Sequence, residues 1–453
     1  MRRNRRLSRV GEISLHLDRL RFSVTSRQTQ LVTVFLFMTT VLFHNGQIVL
    51  SHQILLDGAV LVRDGRIEAV DARPGERSAD QVVDLGGGYL VPGFIDVHIH
   101  GGDGADFMDG TEEAFRTVCR AHARHGTTSL LPTTTVARHE QHLAFLGVCK
   151  RLMASEGRQP PVVNEPSQAH GPRGANAPRS PGVRILGAHF YGPYFGLEAR
   201  GCHPADPVRP PRPEEYLQYL DAGCICTATV APELPGAEQF VRDCRARGIR
   251  CNAGHSHATF EQMEAAVGWG VRHIDHLFCA MSDRARLRQT QTYPMRGGVM
   301  EATLFFDELT TEVIADGKHL CRELLLLAYK VKGPDRVALC TDCNRALDRP
   351  DGEYIFGPTE GGEKILRQDG VGLMADGTAL ASGVEGMDHM VRTFHQLTGV
   401  PLVEVVRMAS LTPARVAGWD DRIGSIAVGK LADLVVLDRE LKVREVYIGG
   451  DRV

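Results

Sequence analysis

Short apolar runs that each stop at a histidine or an aspartate recur along the chain, and the segments between them fall into order around that pattern. The clearest is VPGFIDVHIHGG, residues 91–102, in which Val91, Phe94, Ile95 and Val97 mark a buried strand from Phe94 to His98. Alternate side chains of a strand share a face, so His98 and His100 point the same way and can grip one cation. The pattern returns in CNAGHSHAT with His255, in VRHIDHLFCAM with His276 and in VALCTDCN with Asp342. Several strands that each deliver a ligand from the C-terminal end describe the mouth of a TIM-like (β/α)8 barrel.

The intervening sequence supplies the rest of such a barrel. Helical periodicity over 112–125 and 140–153 brackets a second strand, TTSLLPTT. Residues 156–181, rich in Pro, Gly, Asn and Ser, read as an exposed insertion loop. VRILGAHFYGP, CICTATVAPE, RCNAGHS, VRHIDHLF, TEVIADGKH and RVALCTD then predict strands three to eight, with the polar stretch 282–297 as an active-site loop. Residues 344–377 read as loop with a β-hairpin, and 384–397 and 402–417 as helices against the outside of the barrel.

Both ends of the chain read differently. Short alternating strands with turn signals (HNG, LDG, VRDGRIEAV, DLGGG) fill 41–89, and the tail from Gly424 repeats the style. The two ends therefore predict one small β-sandwich, giving domains 38–90, 91–420 and 421–453. The Arg-rich start leads to an apolar run, 31–43, that is too short to span a bilayer and has no small-residue cleavage site. MTTVLFHNGQIV would make a natural first strand from Met38, so residues 1–37 are expected to be unstructured or absent from the natural protein.

Composition narrows the function more by exclusion. Across 453 residues, 43% hydrophobic and 24% charged content is ordinary for a soluble globular protein. A net charge of −3 gives no global attraction to nucleic acid or to an anionic membrane, so any phosphate on a small-molecule substrate must be met by local groups. The eleven cysteines lack a disulfide spacing, and the CxxC formed by Cys340 and Cys343 has no second pair for a zinc ribbon; a reduced, cytoplasmic setting fits them.

Together the motifs PGFIDVHIHG, LGAHFYGPYF, AGHS, HLFCAM, VIADGKH, CTD and the tail MASLTPARVAG with GSIAVGKLADLVVLD resemble the amidohydrolase superfamily, and within it most closely the N-acetylglucosamine-6-phosphate deacetylases. The resemblance spans residues 41–453. It implies His98 and His100 as a strand-one metal pair, His255 and His276 as metal-binding histidines, and Asp342 as the catalytic base. It further implies that His203, in ARGCHPAD, orients the substrate near the scissile carbonyl. His319 and Arg296 would serve a sugar-phosphate pocket, and Cys279 and Ala280 of HLFCAM fall on the substrate side.

One departure stands out. Where the family reads His-Leu-Glu-Gly-Pro, this chain has His189, Phe190, Tyr191, Gly192 and Pro193, so a phenol replaces a metal-binding carboxylate. A phenol with a pKa of about 10 is a poor ligand at neutral pH. The resemblance then implies one divalent ion, Zn2+ with Fe2+ as the alternative, held by His98, His100, His255 and Asp342, with His276 against the attacking water. Tyr191 or His203 could donate to the oxyanion. Homodimers are usual in the family. Taken singly, each residue has a plainer reading: His255 as a helix cap, His276 as a core histidine, Asp342 as a turn residue, His203 and His319 as loop polar groups, Tyr191 as packing. At the level of function, another amidohydrolase reaction, such as N-acyl amino acid hydrolysis or deamination, and a catalytically impaired homologue both stay open.

Overall fold

A computed structural model describes residues 39–71, 79–155, 182–289, 293–377 and 379–453. The expected N-terminal segment 1–37 and the insertion 156–181 lie outside them. The barrel strands are β1 (Phe94–Ile99), β2 (Thr127–Pro132), β3 (Ala188–Phe190), β4 (Ile225–Thr229), β5 (Arg250–Ala253), β6 (Val271–Ile274), β7 (Thr310–Ile314) and β8 (Val337–Cys340). Neighbours pair in parallel from β3 to β8 and between β1 and β2, and a parallel bridge from Thr133 to His189 joins β2 to β3. The ring closes where the Asp342 backbone N–H donates to the carbonyl of His98 at 2.9 Å. Every residue of β1, β2, β4 and β8 is buried, as strands covered on both faces require.

Three expectations need correction in detail. The third strand comes in two pieces, Arg184–Ile185 and β3, because the chain turns at Gly187, whose φ of 149° and 2.6 Å clearance to Cys226 Cβ leave no room for a side chain. The helix expected over 402–417 is two helices, Leu402–Ala409 and Leu411–Ala417. Pro413 has no N–H to continue the first helix, and Ser410 leaves the helical region at φ −137° while its hydroxyl donates to the Val406 carbonyl. The loop with a hairpin expected over 344–377 contains a three-stranded antiparallel sheet, Gly352–Phe356, Glu363–Gln368 and Val371–Met374.

Both chain ends meet in one eight-stranded sheet. Leu434–Leu437 runs antiparallel to Tyr89–Pro92, and Phe43, Ile48, Val60, Leu434, Val436 and Tyr447 share its core. Its Asp64-Gly65 turn, with φ of 50° and 76°, is the hairpin geometry that the Asp-Gly pair anticipates. A buried Arg184–Asp433 ion pair at 2.9 Å ties this sheet to the barrel. Among the described residues no helix is long and apolar enough to cross a membrane.

A clasp on the barrel wall gives a pH-dependent expectation. The half-buried His125, which ends the helix Glu112–Arg124, lies 2.9 Å from both Asp348 and Asp388. Burial opposes its charge, but the two carboxylates outweigh that and raise its pKa to about 9, while Asp348 and Asp388 sit below the ordinary carboxylate range. A raised histidine pKa stabilises fully below about 6.5 and loses that contribution as pH climbs through about 9; the lowered aspartates lose theirs as pH falls below about 4. His125→Asn should therefore cost about 2 kcal/mol in urea unfolding at pH 6 and much less at pH 10. An equal cost at both pH values would remove the charge from the account.

Candidate active site

The C-terminal ends of β1, β5, β6 and β8 deliver His98 with His100, His255, His276 and Asp342 to one rim. Three of these residues leave their strands in the left-handed region, with φ of 44° at His255, 23° at His276 and 46° at Asp342. Such backbone costs about 1–3 kcal/mol per residue and clusters where function holds it in place. The adjoining loop adds Phe278 at 79° and Ala280 at 49°.

His98, His100 and Asp342 form a tight buried group whose ligand atoms all lie within 4.8 Å of one another. Asp342 Oδ1 is 3.1 Å from His100 Nε2 and 3.6 Å from His98 Nε2. His98 Nε2 has no hydrogen-bond partner, although its ring is fully buried. Burial alone would lower the basicity of His98, yet Glu312 and then Asp342 raise its pKa to about 9 in the metal-free site, so the surroundings favour positive charge there, a proton on Nε2 or a cation in its place. Burial would likewise raise the Asp342 pKa; the hydrogen bond from His100 and the nearby imidazoles hold it well below the carboxylate range.

The other predicted residues line the rim around this group. His255 lies outside it, its ring 5.0 Å from those of His276 and His203; Nδ1 donates to the Ala199 carbonyl at 2.7 Å, which leaves Nε2 with a bare lone pair. His276 also lies outside, its Nε2 paired with the Tyr191 hydroxyl at 2.7 Å. Burial pushes the Tyr191 phenol well above its usual pKa and, with the His98 charge, pulls His276 down to about 4, so both are neutral near pH 7. His203 Nδ1 accepts from the Val136 N–H at 3.2 Å, which places its proton on Nε2, and burial keeps the ring neutral. Phe356, carried in by the three-stranded sheet, packs on the rings of His100 and His203.

His319 is nearly buried, with its Nδ1 2.6 Å from Asp316 Oδ2, and the aspartate overcomes the cost of burial to raise its pKa. Cys279 is half-buried; its N–H donates to the His276 carbonyl, and burial pushes its thiol up to about 12. The Ala280 carbonyl accepts from the Ser256 N–H. Arg296 stands on an exposed pair with Glu261 at 3.1 Å.

Sequence reasoning missed the layer beneath. Glu312 of β7 reaches His98 Nδ1 at 2.5 Å and His273 Nε2 at 3.2 Å. Asp275 accepts from Thr229 at 2.7 Å and from Asn252 at 2.9 Å, and Thr229 meets His189 at 2.8 Å. His98, Asp275 and Glu312 also approach one another closely, but both carboxylates are already engaged by these partners. The available signal was a charge inside a short apolar strand, Glu312 in TTEVI, since a buried charge demands a partner.

With this geometry in view, likeness to known proteins becomes decisive. The amidohydrolase family matches residues 89–161 and 185–453. The chain belongs to that family. The N-acetylglucosamine-6-phosphate deacetylase of Vibrio furnissii is 31% identical over 398 residues, 87% of this chain and 90% of that one. The N-acetylgalactosamine-6-phosphate deacetylase of Escherichia coli O157:H7 is 32% identical over 400 residues, 87% of this chain and 94% of that one. A variant of the Mycobacterium smegmatis N-acetyl-D-glucosamine-6-phosphate deacetylase, solved in complex with N-acetyl-D-glucosamine-6-phosphate, superposes with a TM-score of 0.78 at 27% identity and covers 92% of this chain and 99% of its own.

The family implies a divalent metal, and this amidohydrolase has residues that fit one. Two imidazole nitrogens and a carboxylate converge, and the buried His98 Nε2 lies 3.6 Å from an Asp342 oxygen with no hydrogen bond between them. A cation bound by these donors occupies that gap and is met by nitrogen and oxygen ligands together.

Proposed function

We propose that this amidohydrolase removes the acetyl group of an N-acetylated hexosamine 6-phosphate, N-acetylglucosamine 6-phosphate foremost, by hydrolysing its amide C–N bond with one divalent ion. The convergence of His98, His100 and Asp342 at the rim carries this reading, and the activities of the relatives point to the substrate class. Zn2+ suits the nitrogen and oxygen donors, and Fe2+ accepts the same set. His255, with its bare Nε2, is the fourth donor. The barrel, 91–420, bears the chemistry, beside a β-domain formed by 38–90 and 421–453. All eleven cysteines are free thiols, which fits the cytoplasm.

A divalent ion held there supplies Lewis-acid polarisation of the amide carbonyl and acidifies water in the site. Asp342, kept ionised by His100 and its neighbours, takes a proton from the water that attacks the carbonyl carbon. The same carboxyl then returns that proton to the amine nitrogen as the C–N bond breaks, releasing acetate and the free amino sugar. His203 is neutral with its proton on Nε2, so it can donate to the oxygen that gains charge. The neutral Tyr191 holds His276 in place by their 2.7 Å contact, which makes His276 an orienting group beside the reaction and leaves its Nε2 engaged.

Acetate release across a panel of N-acetylglucosamine and N-acetylgalactosamine, each with and without 6-phosphate, tests the reading on protein reconstituted with Zn2+ or Fe2+. No acetate from either phosphorylated sugar would overturn it. Including N-acetyl amino acids tests the second reading, a different acyl amine on the same scaffold, which the phenol at Tyr191 favours. His319, its Nδ1 held by Asp316, which also raises its pKa, is the local donor for phosphate in this reading. His319→Asn should raise KM about 10- to 100-fold for the phosphorylated sugar and leave KM for the unphosphorylated one nearly unchanged. A parallel rise for both would place His319 elsewhere.

A further inference from the structure

Beneath the rim, one fully buried carboxylate touches two of the site histidines at once. Glu312 Oε1 lies 2.5 Å from His98 Nδ1 and 3.4 Å from the backbone nitrogen of His276, while the carbonyl of Glu312 accepts from the Leu277 N–H at 2.8 Å. Its second oxygen meets His273 Nε2 at 3.2 Å, and His273 Nδ1 is in turn fixed by the Thr310 hydroxyl at 2.8 Å. We infer that Glu312 is a positioning residue that fixes the proton of His98 on Nδ1 and aims the Nε2 lone pair at the cation site beside Asp342; this rests on the metal reading above.

The geometry requires such a device. A histidine ring has two nitrogens, and only the unprotonated one can hold a cation. A carboxylate at hydrogen-bond distance from Nδ1 decides that choice, because it accepts and cannot donate when ionised. What remains is Nε2, buried, without a partner and 3.6 Å from Asp342 Oδ1. The anchorage extends away from the site through His273 to Thr310, so His98 is held by a chain of contacts across the barrel interior. Stability alone is a poor explanation for this arrangement, since buried ion pairs can often be replaced by apolar residues at no cost. The contact to the His276 nitrogen places the same carboxylate at the left-handed turn that presents His276.

Co2+ added to the chelator-stripped full chain provides the test. Glu312→Gln keeps the shape and an acceptor oxygen but removes the charge; its Kd for Co2+ should rise about 10- to 100-fold, with a shifted visible absorption band at saturation. His273→Gln, which loosens Glu312 without touching His98, should weaken Co2+ binding in the same direction by a smaller factor, and it carries the test should Glu312→Gln fail to fold. Thermal unfolding of the metal-free proteins separates a loss of fold from a loss of aim. If the folded variants bind Co2+ with the wild-type Kd and band, the inference falls while the metal reading stands. If the wild-type chain binds no Co2+, both fall.

Discussion

Asp342→Asn is expected to lower kcat for acetate release by about 10²- to 10⁴-fold at saturating metal, the range that general-base catalysis supplies. The substitution isolates chemistry from architecture. Asp342 sits at φ 46°, a conformation asparagine tolerates well, and its backbone N–H to the His98 carbonyl and its carbonyl from the Gly383 N–H both survive the change. What is lost is the proton acceptor, together with one negative charge among His98, His100 and His276. The lost charge should weaken metal binding without abolishing it, because His98 and His100 are untouched. The rate is therefore read in excess Zn2+, with bound metal measured on the same samples. Full activity in the metal-replete variant would remove Asp342 from the base role.

The legible part of this protein was the rim, and the reason is geometric. A strand that ends in His or Asp announces itself because the apolar run stops where the side chain must leave the core, as with His98, His276 and Asp342. The His-x-His spacing and eight alternating strands then imply the barrel, and the structure supplies both. The charge of Glu312 inside TTEVI hinted at a buried partner, but what Glu312, His273, Asp275 and Asn252 do was not legible, since it depends on which strands are neighbours around the closed sheet, and local sequence does not contain that order. Phe356 was hidden for another reason: it is brought onto His100 and His203 by the three-stranded sheet within 344–377, where only loop and a hairpin were expected. The split of the helix at Ser410 lay in plain sight at Pro413, but apolar periodicity over 402–417 concealed it. Arg296 was placed by motif position alone, and in the structure it forms an exposed pair with Glu261.

Titrating the chelator-stripped protein with Zn2+ is expected to take acetate release from essentially zero to a plateau reached at one equivalent per chain. The number follows from the charge available at the rim. Asp342 is the carboxylate of the ligand group there, whereas Tyr191 is a buried neutral phenol engaged with His276 Nε2. A second dication beside the first would face neutral rings, and burying an uncompensated charge is expensive. The deeper carboxylates do not help: Glu312 is committed to His98 and His273, and Asp275 to Thr229 and Asn252. Tyr191→Glu should therefore change the stoichiometry itself, moving bound metal from one to two per chain by elemental analysis, because it adds a carboxylate and frees the His276 nitrogen together. Two equivalents in the wild-type chain would mean that the phenol does not close the second position, and the single-ion reading would have to be given up.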